Sequence, residues 1–338
     1  MGKNIYFMAE KAGVSVATIS RYFNNPDVIK EETRQRIKEV CIKYNYRPSY
    51  IASAITTRRT KSIALLSPSL REPAFHKLVF GIEKRLSERG YCLNLFNTKG
   101  NVKSEMEIIE IINNRIIDGV IIAGVFGGEE ERKSILELKK RKIPTISVDR
   151  YILSSNIASV AIDDYTGGRI AAEFLLKKNH TSIGLILYSS KIDIFNERKK
   201  GFIDCLRKNN LKAKLVLEIP SSFSSLKDNM EKNKNTILES KITSFFCLTD
   251  MIAITLIKLL QENKIKIPED ISIIGFDNID FSNFIIPALT TIEHYIDTMG
   301  EIAVDNLISK IENNKYLKKI TILQPKIIER DSVIEHIR

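Results

Sequence analysis

Ala12-Gly13-Val14-Ser15-Val16-Ala17-Thr18-Ile19-Ser20-Arg21-Tyr22-Phe23-Asn24-Asn25 is the stretch whose reading decides the fold. Gly13 suits a helix that ends in the left-handed backbone region, where a Cβ is penalised. Ser15 is then a good N-cap for the next helix, because its hydroxyl can accept an orphan N–H of the first turn. Ile19 and Phe23 fall one turn apart on one face, while Thr18, Ser20 and Arg21 point elsewhere. Upstream, Ile5, Met8 and Ala12 form the stripe of a preceding helix that Asn4 can cap. Two short helices joined by a Gly-containing turn predict a helix-turn-helix whose second helix is offered to a DNA major groove. An ordinary helical hairpin is the alternative that this stretch alone leaves open.

The residues downstream extend the pattern. Glu31-Glu32-Thr33-Arg34 opens a third helix, and Tyr46-Arg47-Pro48-Ser49-Tyr50-Ile51-Ala52-Ser53-Ala54-Ile55 follows it. Together with the opening stretch, these segments resemble the LacI/GalR family of transcription regulators, and the resemblance extends through almost the whole chain. It implies a multidomain protein: an all-α helix-turn-helix head, then an α/β two-lobed, periplasmic-binding-protein-like effector domain of two doubly wound parallel sheets. The expected boundaries are 1–48 for the head and 49–60 for a hinge helix and linker. The N-terminal lobe is expected to take 61–162 with 291–323, and the C-terminal lobe 163–290 with 324–338.

Composition agrees with that division. The chain has 338 residues, enough for two or three domains. Its net charge is +11, and residues 1–60 contribute a surplus of six through 11 basic and 5 acidic side chains. A small basic head on a nearly balanced body is the electrostatic signature of nucleic-acid binding. The four cysteines, Cys41, Cys92, Cys205 and Cys247, lie far apart with no zinc-like spacing, so no metal is expected and reduced thiols are. No secretory h-region follows Met1 and no apolar run approaches the ~18 residues of a membrane helix. A soluble, cytoplasmic protein without membrane association is therefore expected.

In the head, a third helix is predicted over about 32–45, with Ile37, Val40, Cys41 and Tyr44 at helical spacing and carboxylates near its start. The family resemblance implies base-edge contacts for Val16, Ala17 and Arg21, and phosphate contacts for Tyr6, Ser15, Thr18, Ser20 and Asn24. An Arg at a base edge can bond guanine through two parallel N–H groups. Residues 49–57 are too short for a stable isolated helix. The resemblance implies that they fold on DNA with Ile55 as a minor-groove wedge, whereas a plain linker is the alternative. Phe7 stands where the family normally has Asp.

From Lys61 the pattern alternates. Short apolar runs at 62–66, 91–96, 119–124 and 144–148 are separated by helical stretches around 75–89, 104–115 and 131–142. A second series has strands at 182–187, 215–219, 244–248 and 271–276, with helices around 166–178, 196–209, 224–238 and 251–262. Apolar strands alternating with helices predict parallel sheets covered on both faces. Ligands of such sheets bind beyond the strands' C-terminal ends. The resemblance implies three crossings between lobes, near 162, 290 and 324, with Thr290-Thr291-Ile292 as the second. It assigns effector contacts to Phe75, Asp149, Asp164, Arg198, Phe223, Thr249 and Asp277, with His294 at the cleft rim. Carboxylates, an Arg and aromatic walls suit a sugar. An Asp or Thr that follows a strand can equally be a helix cap. Glu72 and Thr249 depart from the usual amides, and Arg71 adds a cation that makes a sugar phosphate conceivable.

Enzyme fingerprints are missing: there is no G-x-G-x-x-G after a strand, no P-loop, no G-x-S-x-G and no H-E-x-x-H. Gly167-Gly168 lacks the rest of a phosphate fingerprint and reads as a close-packing site. The sequence thus predicts a non-enzymatic transcription regulator, a repressor without a cofactor. Its expected partners are double-stranded operator DNA of pseudo-palindromic form, a small-molecule effector (a sugar or sugar phosphate) and a second copy in a homodimer. A corepressor-dependent regulator of a non-sugar metabolite and a sugar-binding receptor module are the competing readings.

Overall fold

Left-handed backbone at Gly13 (φ 60°) ends α1 (Ile5–Ala12), and the Asn4 side chain caps its start by accepting from the Phe7 N–H at 3.0 Å. After the turn, Ser15 Oγ accepts from the Thr18 N–H at 3.1 Å and opens α2 (Val16–Asn24). α3 (Glu31–Lys43) begins with two carboxylates, where the helix dipole favours them. Ala9, Ala12, Ile19 and Ile37 are buried together, with Ile5, Val14, Val16, Phe23, Val40 and Cys41 packed around them. Phe7 sets its ring against the edge of Tyr44 (centroids 5.2 Å apart), so this aromatic joins α1 to α3.

The computed structural model describes residues 4–46, 59–112, 117–124, 129–149, 157–189, 193–220 and 225–337. The chain divides into two units, Met1–Lys61 and Ser62–Arg338. The second unit carries two six-stranded sheets among the described residues. The first contains β1 (Ser62–Ser67), β2 (Cys92–Asn97), β3 (Gly119–Ala123), β4 (Thr145–Val148), β5 (Ala158–Ile162) and β11 (Ile320–Leu323). Its order is β11-β5-β4-β3-β1-β2, and every pair is parallel. The second contains β6 (Ile183–Ser189), β7 (Leu215–Pro220), β8 (Ser244–Cys247), β9 (Ser272–Asp277), β10 (Thr290–Glu293) and β12 (Lys326–Ile328). Its order is β12-β10-β9-β8-β6-β7, with β12 antiparallel at one edge.

Around the first sheet run α4 (Pro73–Glu88), α5 (Val102–Ile112), α6 (Glu129–Lys140) and α12 (Ile296–Asn313); with the second sheet run α7 (Asp164–Lys177), α8 (Asp193–Lys208), α9 (Leu226–Lys232), α10 (Lys234–Glu239) and α11 (Asp250–Glu262). The central strands are buried along their length (Ile63 to Leu66, Val120 to Ala123, Ile273 to Phe276), as strands covered on both faces must be. The stretch expected as one helix over 224–238 is two, interrupted at Asn233, whose side chain donates to the Asn229 carbonyl at 2.8 Å.

The chain passes between the sheets after β5, after β10 and between β11 and β12. The first and third passages are bonded to each other, since the Asp163 N–H donates to the Leu323 carbonyl at 3.0 Å. The second passage corrects the sequence expectation. Thr290, Thr291 and Ile292 do not cross: they pair in register with Ile274, Gly275 and Phe276, and Thr291 and Ile292 also pair antiparallel with Ile328 and Ile327. The chain therefore leaves the second sheet at His294, not at 290, and Thr291 to Glu293 belong to that sheet rather than to the first lobe. Among the described residues no helix is long and apolar enough to cross a membrane.

Candidate functional site

The head offers a polar, solvent-facing helix. In α2, Ala17 and Arg21 are exposed, as is Ser15 at its cap, while Thr18 and Ser20 are half-buried. Thr18 Oγ1 lies 2.9 Å from Ser15 Oγ, so the two hydroxyls form one polar corner at the start of the helix. Tyr6 on α1 is 70% exposed despite its size. Val16 is half-buried against the head core, so only part of its side chain faces out. The backbone of Asn24 ends α2, and its side chain lies outside the described residues, as does all of Ile55.

The second site lies beyond the C-terminal ends of the strands, where the two sheets face each other. Each of its charged groups follows from a local feature of the chain. Asp163 caps α7, accepting from the Thr166 N–H (2.9 Å) and the Thr166 hydroxyl (2.9 Å). That leaves Asp164, the next residue, free of capping duty. Asp164 Oδ1 instead accepts from Arg198 Nε at 2.7 Å. Arg198 Nη1 donates to the Leu248 carbonyl at the end of β8 (2.9 Å) and to Asp277 Oδ1 at the end of β9 (3.3 Å). Asp277 Oδ1 also meets His294 Nδ1 at 3.1 Å, and His294 Nε2 meets Asp149 Oδ1 at 2.6 Å. Asp149, His294, Asp277, Arg198 and Asp164 are thus one continuous chain of hydrogen bonds from the first sheet to the second. All five are buried.

Electrostatics hold this chain together. The Arg198 guanidinium sits over the Phe276 ring, its carbon 3.6 Å from the ring centre. Burial works against its charge, but Asp164, Asp277 and Asp149 outweigh burial and raise its pKa. The same contest at His294 ends at about 10: burial opposes the imidazolium, and Asp149 and Asp277 more than compensate. Burial raises the Asp164 carboxyl despite Arg198 and His294 beside it. Buried ions of this kind persist only when paired and hydrogen-bonded.

The remaining expected contacts divide. Phe75 packs its ring over Gly124, where an added Cβ would stand 3.1 Å from Phe75 Cζ, and joins the core of the first sheet. Thr249 is the N-cap of α11, its hydroxyl accepting from the Ile252 N–H at 3.3 Å. Phe223 lies outside the described residues. Arg71 is exposed. Among the described residues no cluster suited to a metal ion is present.

Known proteins share both halves of this design. Residues 4–49 match the model for bacterial regulatory proteins of the lacI family, and residues 172–333 match a periplasmic binding protein-like domain. The HTH-type transcriptional regulator DegA of Bacillus subtilis is 31% identical over 334 residues, covering 98% of each chain. The chain belongs to the LacI family. A periplasmic binding protein/LacI transcriptional regulator from Alkaliphilus metalliredigens, solved with D-xylulofuranose, is 26% identical with a TM-score of 0.73, covering 81% of this chain and 99% of its own. The Lac repressor dimer bound to operator and the anti-inducer ONPF shares the fold at a TM-score of 0.85 and 21% identity, over 99% of this chain and 100% of its own. This LacI-family member is a DNA-binding transcriptional regulator with a ligand-binding domain, and it is not an enzyme.

Phe276 and Tyr188 at the LacI-type cleft went unassigned in the sequence, and Asp250, a candidate there because it follows a strand end, was given no contact. Phe276, the platform beneath Arg198, sits in an apolar strand and reads there as core. Asp250, fully buried at the start of α11, accepts from the Ile279 N–H (2.9 Å), the Ser282 hydroxyl (2.6 Å) and the Thr291 hydroxyl (2.5 Å). Burial first, and then the charge of Asp277, raise its carboxyl to about 7 against the pull of those three donors. It ties the turn after β9 to β10, and so fixes where Asp277 and His294 stand. Tyr188, buried near the end of β6, packs edge-on against Phe195 (5.8 Å).

Proposed function

We propose that this LacI-family regulator is a repressor that grips a pseudo-palindromic operator as a homodimer, and that a small polyhydroxylated molecule bound between the sheets sets its operator affinity. One observation carries the ligand class. Among the described residues, none of the hydrogen bonds of Arg198 uses Nη2, and Asp277 spends only Oδ1. A donor pair and an acceptor, prepositioned side by side on an aromatic platform, match the adjacent hydroxyls of a sugar, each of which both donates and accepts. Relatives solved with sugars, the D-xylulofuranose complex among them, support the same reading. Tyr6, Ser15, Val16, Ala17, Thr18, Ser20, Arg21, Asn24 and Ile55 are the proposed DNA contacts. Asp149, Asp164, Arg198, Asp277 and His294, with Phe75, Phe223 and Thr249 at their margins, form the proposed effector site. Phe281, Phe284 and Ile286 expose large apolar surface within six residues, which supports a self-associating face.

Ligand control then follows from differential affinity for two arrangements of the sheets, a coupling typically worth about 1–3 kcal/mol. The deciding experiment is fluorescence anisotropy of the purified protein on the DNA upstream of its own gene, against random duplex, with and without a panel of sugars. Preferential binding that one sugar weakens is the expected result. Preferential binding that a ligand strengthens would replace induction by corepression. Equal binding to operator and random duplex would end the repressor reading.

A further inference from the structure

Two polar side-chain groups on opposite sides of the cleft make no hydrogen bond of good geometry among the described residues, and together they describe part of the ligand. Tyr188 is only 3% exposed, yet among the described residues its hydroxyl has no partner in hydrogen-bonding geometry. Glu72, the residue that precedes α4 in the first sheet's half, is half-buried. Its carboxylate has no hydrogen bond or ion pair among the described residues, whereas its backbone carbonyl accepts from the Phe75 N–H at 3.0 Å. The Glu72 charge adds to burial in raising the Tyr188 phenol, with the Thr249 hydroxyl opposing, and Asp277 acts on both. A buried hydroxyl and a half-desolvated carboxylate without donors each cost free energy, unless something absent from the chain completes them.

We propose that Glu72 and Tyr188 form a subsite for a protonated amine, so that the effector is an amine-bearing polyol and not a phosphate ester. This rests on the polyol reading of the Arg198–Asp277 pair given above. An ammonium carries three donors and no acceptor, enough to serve the Glu72 carboxylate and the Tyr188 oxygen at once. A hydroxyl has one. The local charge points the same way. Among the described residues, the carboxyl groups of Asp149, Asp164, Asp250, Asp277 and Glu72 outnumber the guanidinium of Arg198 and the imidazolium of His294. The cations Lys77 and Arg330 are already engaged with Asn278, Lys77 Nζ at its backbone carbonyl (3.1 Å) and Arg330 Nη2 at its side-chain oxygen (2.7 Å). Arg71, the one residue in the first cleft loop that invites a phosphate, faces solvent. A dianion entering beside Glu72 meets like charge in a poorly solvated place.

The test uses matched sets on the full chain: D-glucose, D-galactose and D-mannose, their 6-amino-6-deoxy derivatives and their 6-phosphates, followed by thermal shift and calorimetry at pH 8. For the sugar that fits, the amino form is expected to bind at least tenfold tighter than its parent, and the phosphate not at all. Glu72→Gln should erase the amino preference and leave the parent sugar's affinity within about threefold. Burial and the Asp277 charge hold the free Glu72 carboxyl at about 7, with Tyr188 the other titratable group against it. The amino form should therefore bind about tenfold more weakly at pH 6 than at pH 8, while the parent sugar barely changes. A phosphate that binds as well as its parent, or an amino preference that survives Glu72→Gln, overturns the subsite and leaves the polyol reading intact. No binding by any compound removes the polyol reading, and the subsite falls with it.

Discussion

His294 and Asp149 fasten the two sheets to each other: Nε2 of the imidazole and Oδ1 of the carboxylate are 2.6 Å apart, both side chains are buried, and one follows β10 of the second sheet while the other follows β4 of the first. On its other side the same imidazole meets Asp277 at 3.1 Å, so a ligand that binds Asp277 acts on a group that also joins the lobes. Asp149 holds this position with left-handed backbone (φ 64°), a conformation that Asp tolerates better than most residues.

The bridge should make stability depend on pH in a defined direction. The folded-state pKa of His294 is about 10, above the ordinary imidazole value of 6.5. Its contribution is therefore complete below about 6.5, declines as the pH rises through the interval, and is gone above about 10. His294→Gln keeps a hydrogen-bonding group and removes the charge. The melting-temperature gap between wild type and this variant should be widest at pH 6 and should close steadily toward pH 10. A gap that stays constant over that range means the bridge is uncharged.

The geometry of Arg198 depends on two glycines. A Cβ on Gly168 of α7 would lie 1.9 Å from the Arg198 carbonyl oxygen, and one on Gly201 of α8 would lie 1.9 Å from the Tyr165 carbonyl oxygen. Both obstacles are backbone, so no side-chain rotation relieves them and the helices must separate. Gly168→Ala and Gly201→Ala should each cost about 1–3 kcal/mol or more in denaturant unfolding. They should also weaken ligand binding, because Arg198 moves with its helix. An alanine variant with an unchanged denaturation midpoint would show that the helices part without penalty.

Much of this architecture was legible because it depends on local chemistry. Gly13, Ser15 and the Ile19 face specify the helix-turn-helix within a dozen residues, and the alternating strands and helices between 62 and 276 specify two layered lobes. The strand Ala158–Ile162 and the elements after 276 were harder to read. Thr290–Glu293 is polar at three of its four positions, and its pairing with β9 and β12 is a tertiary fact that no short window contains. In the cleft, Asp149, Asp164, Arg198, Asp277 and His294 stand in one hydrogen-bonded chain, with His294 buried inside it and not at the rim. Tyr188 escaped because its neighbours Leu185, Ile186 and Leu187 mark a buried strand, and only the fold reveals that its hydroxyl reaches a charged cleft. Phe7 needed the third helix before its packing on Tyr44 made sense.

Asp277 should separate ligand response from DNA binding. Its Oδ1 serves both Arg198 and His294, and its removal as Ala would leave two buried cations undercompensated, a loss of about 3–5 kcal/mol at such sites. Asp277→Asn preserves shape and one acceptor. The Asn variant should bind operator within about threefold of wild type and require at least tenfold more ligand for the same effect. Equal losses in both measurements would assign Asp277 a structural role.

Arg21 tests the head. It is exposed in the last turn of α2, six residues beyond the Ser15 cap. If it bonds a guanine through two N–H groups, Arg21→Ala should cost about 1–3 kcal/mol of discrimination per half-site. Phosphate contacts elsewhere would be untouched, so the slope of log affinity against log salt should fall by about one unit or less per half-site. The measurement is anisotropy on operator and on random duplex over a salt series. An Arg21→Ala variant that keeps its full operator preference shows that this residue does not read bases. A variant that keeps the preference but loses slope and affinity equally on both duplexes reassigns it to the phosphate backbone, leaving Val16 and Ala17 to carry the readout through apolar contact alone.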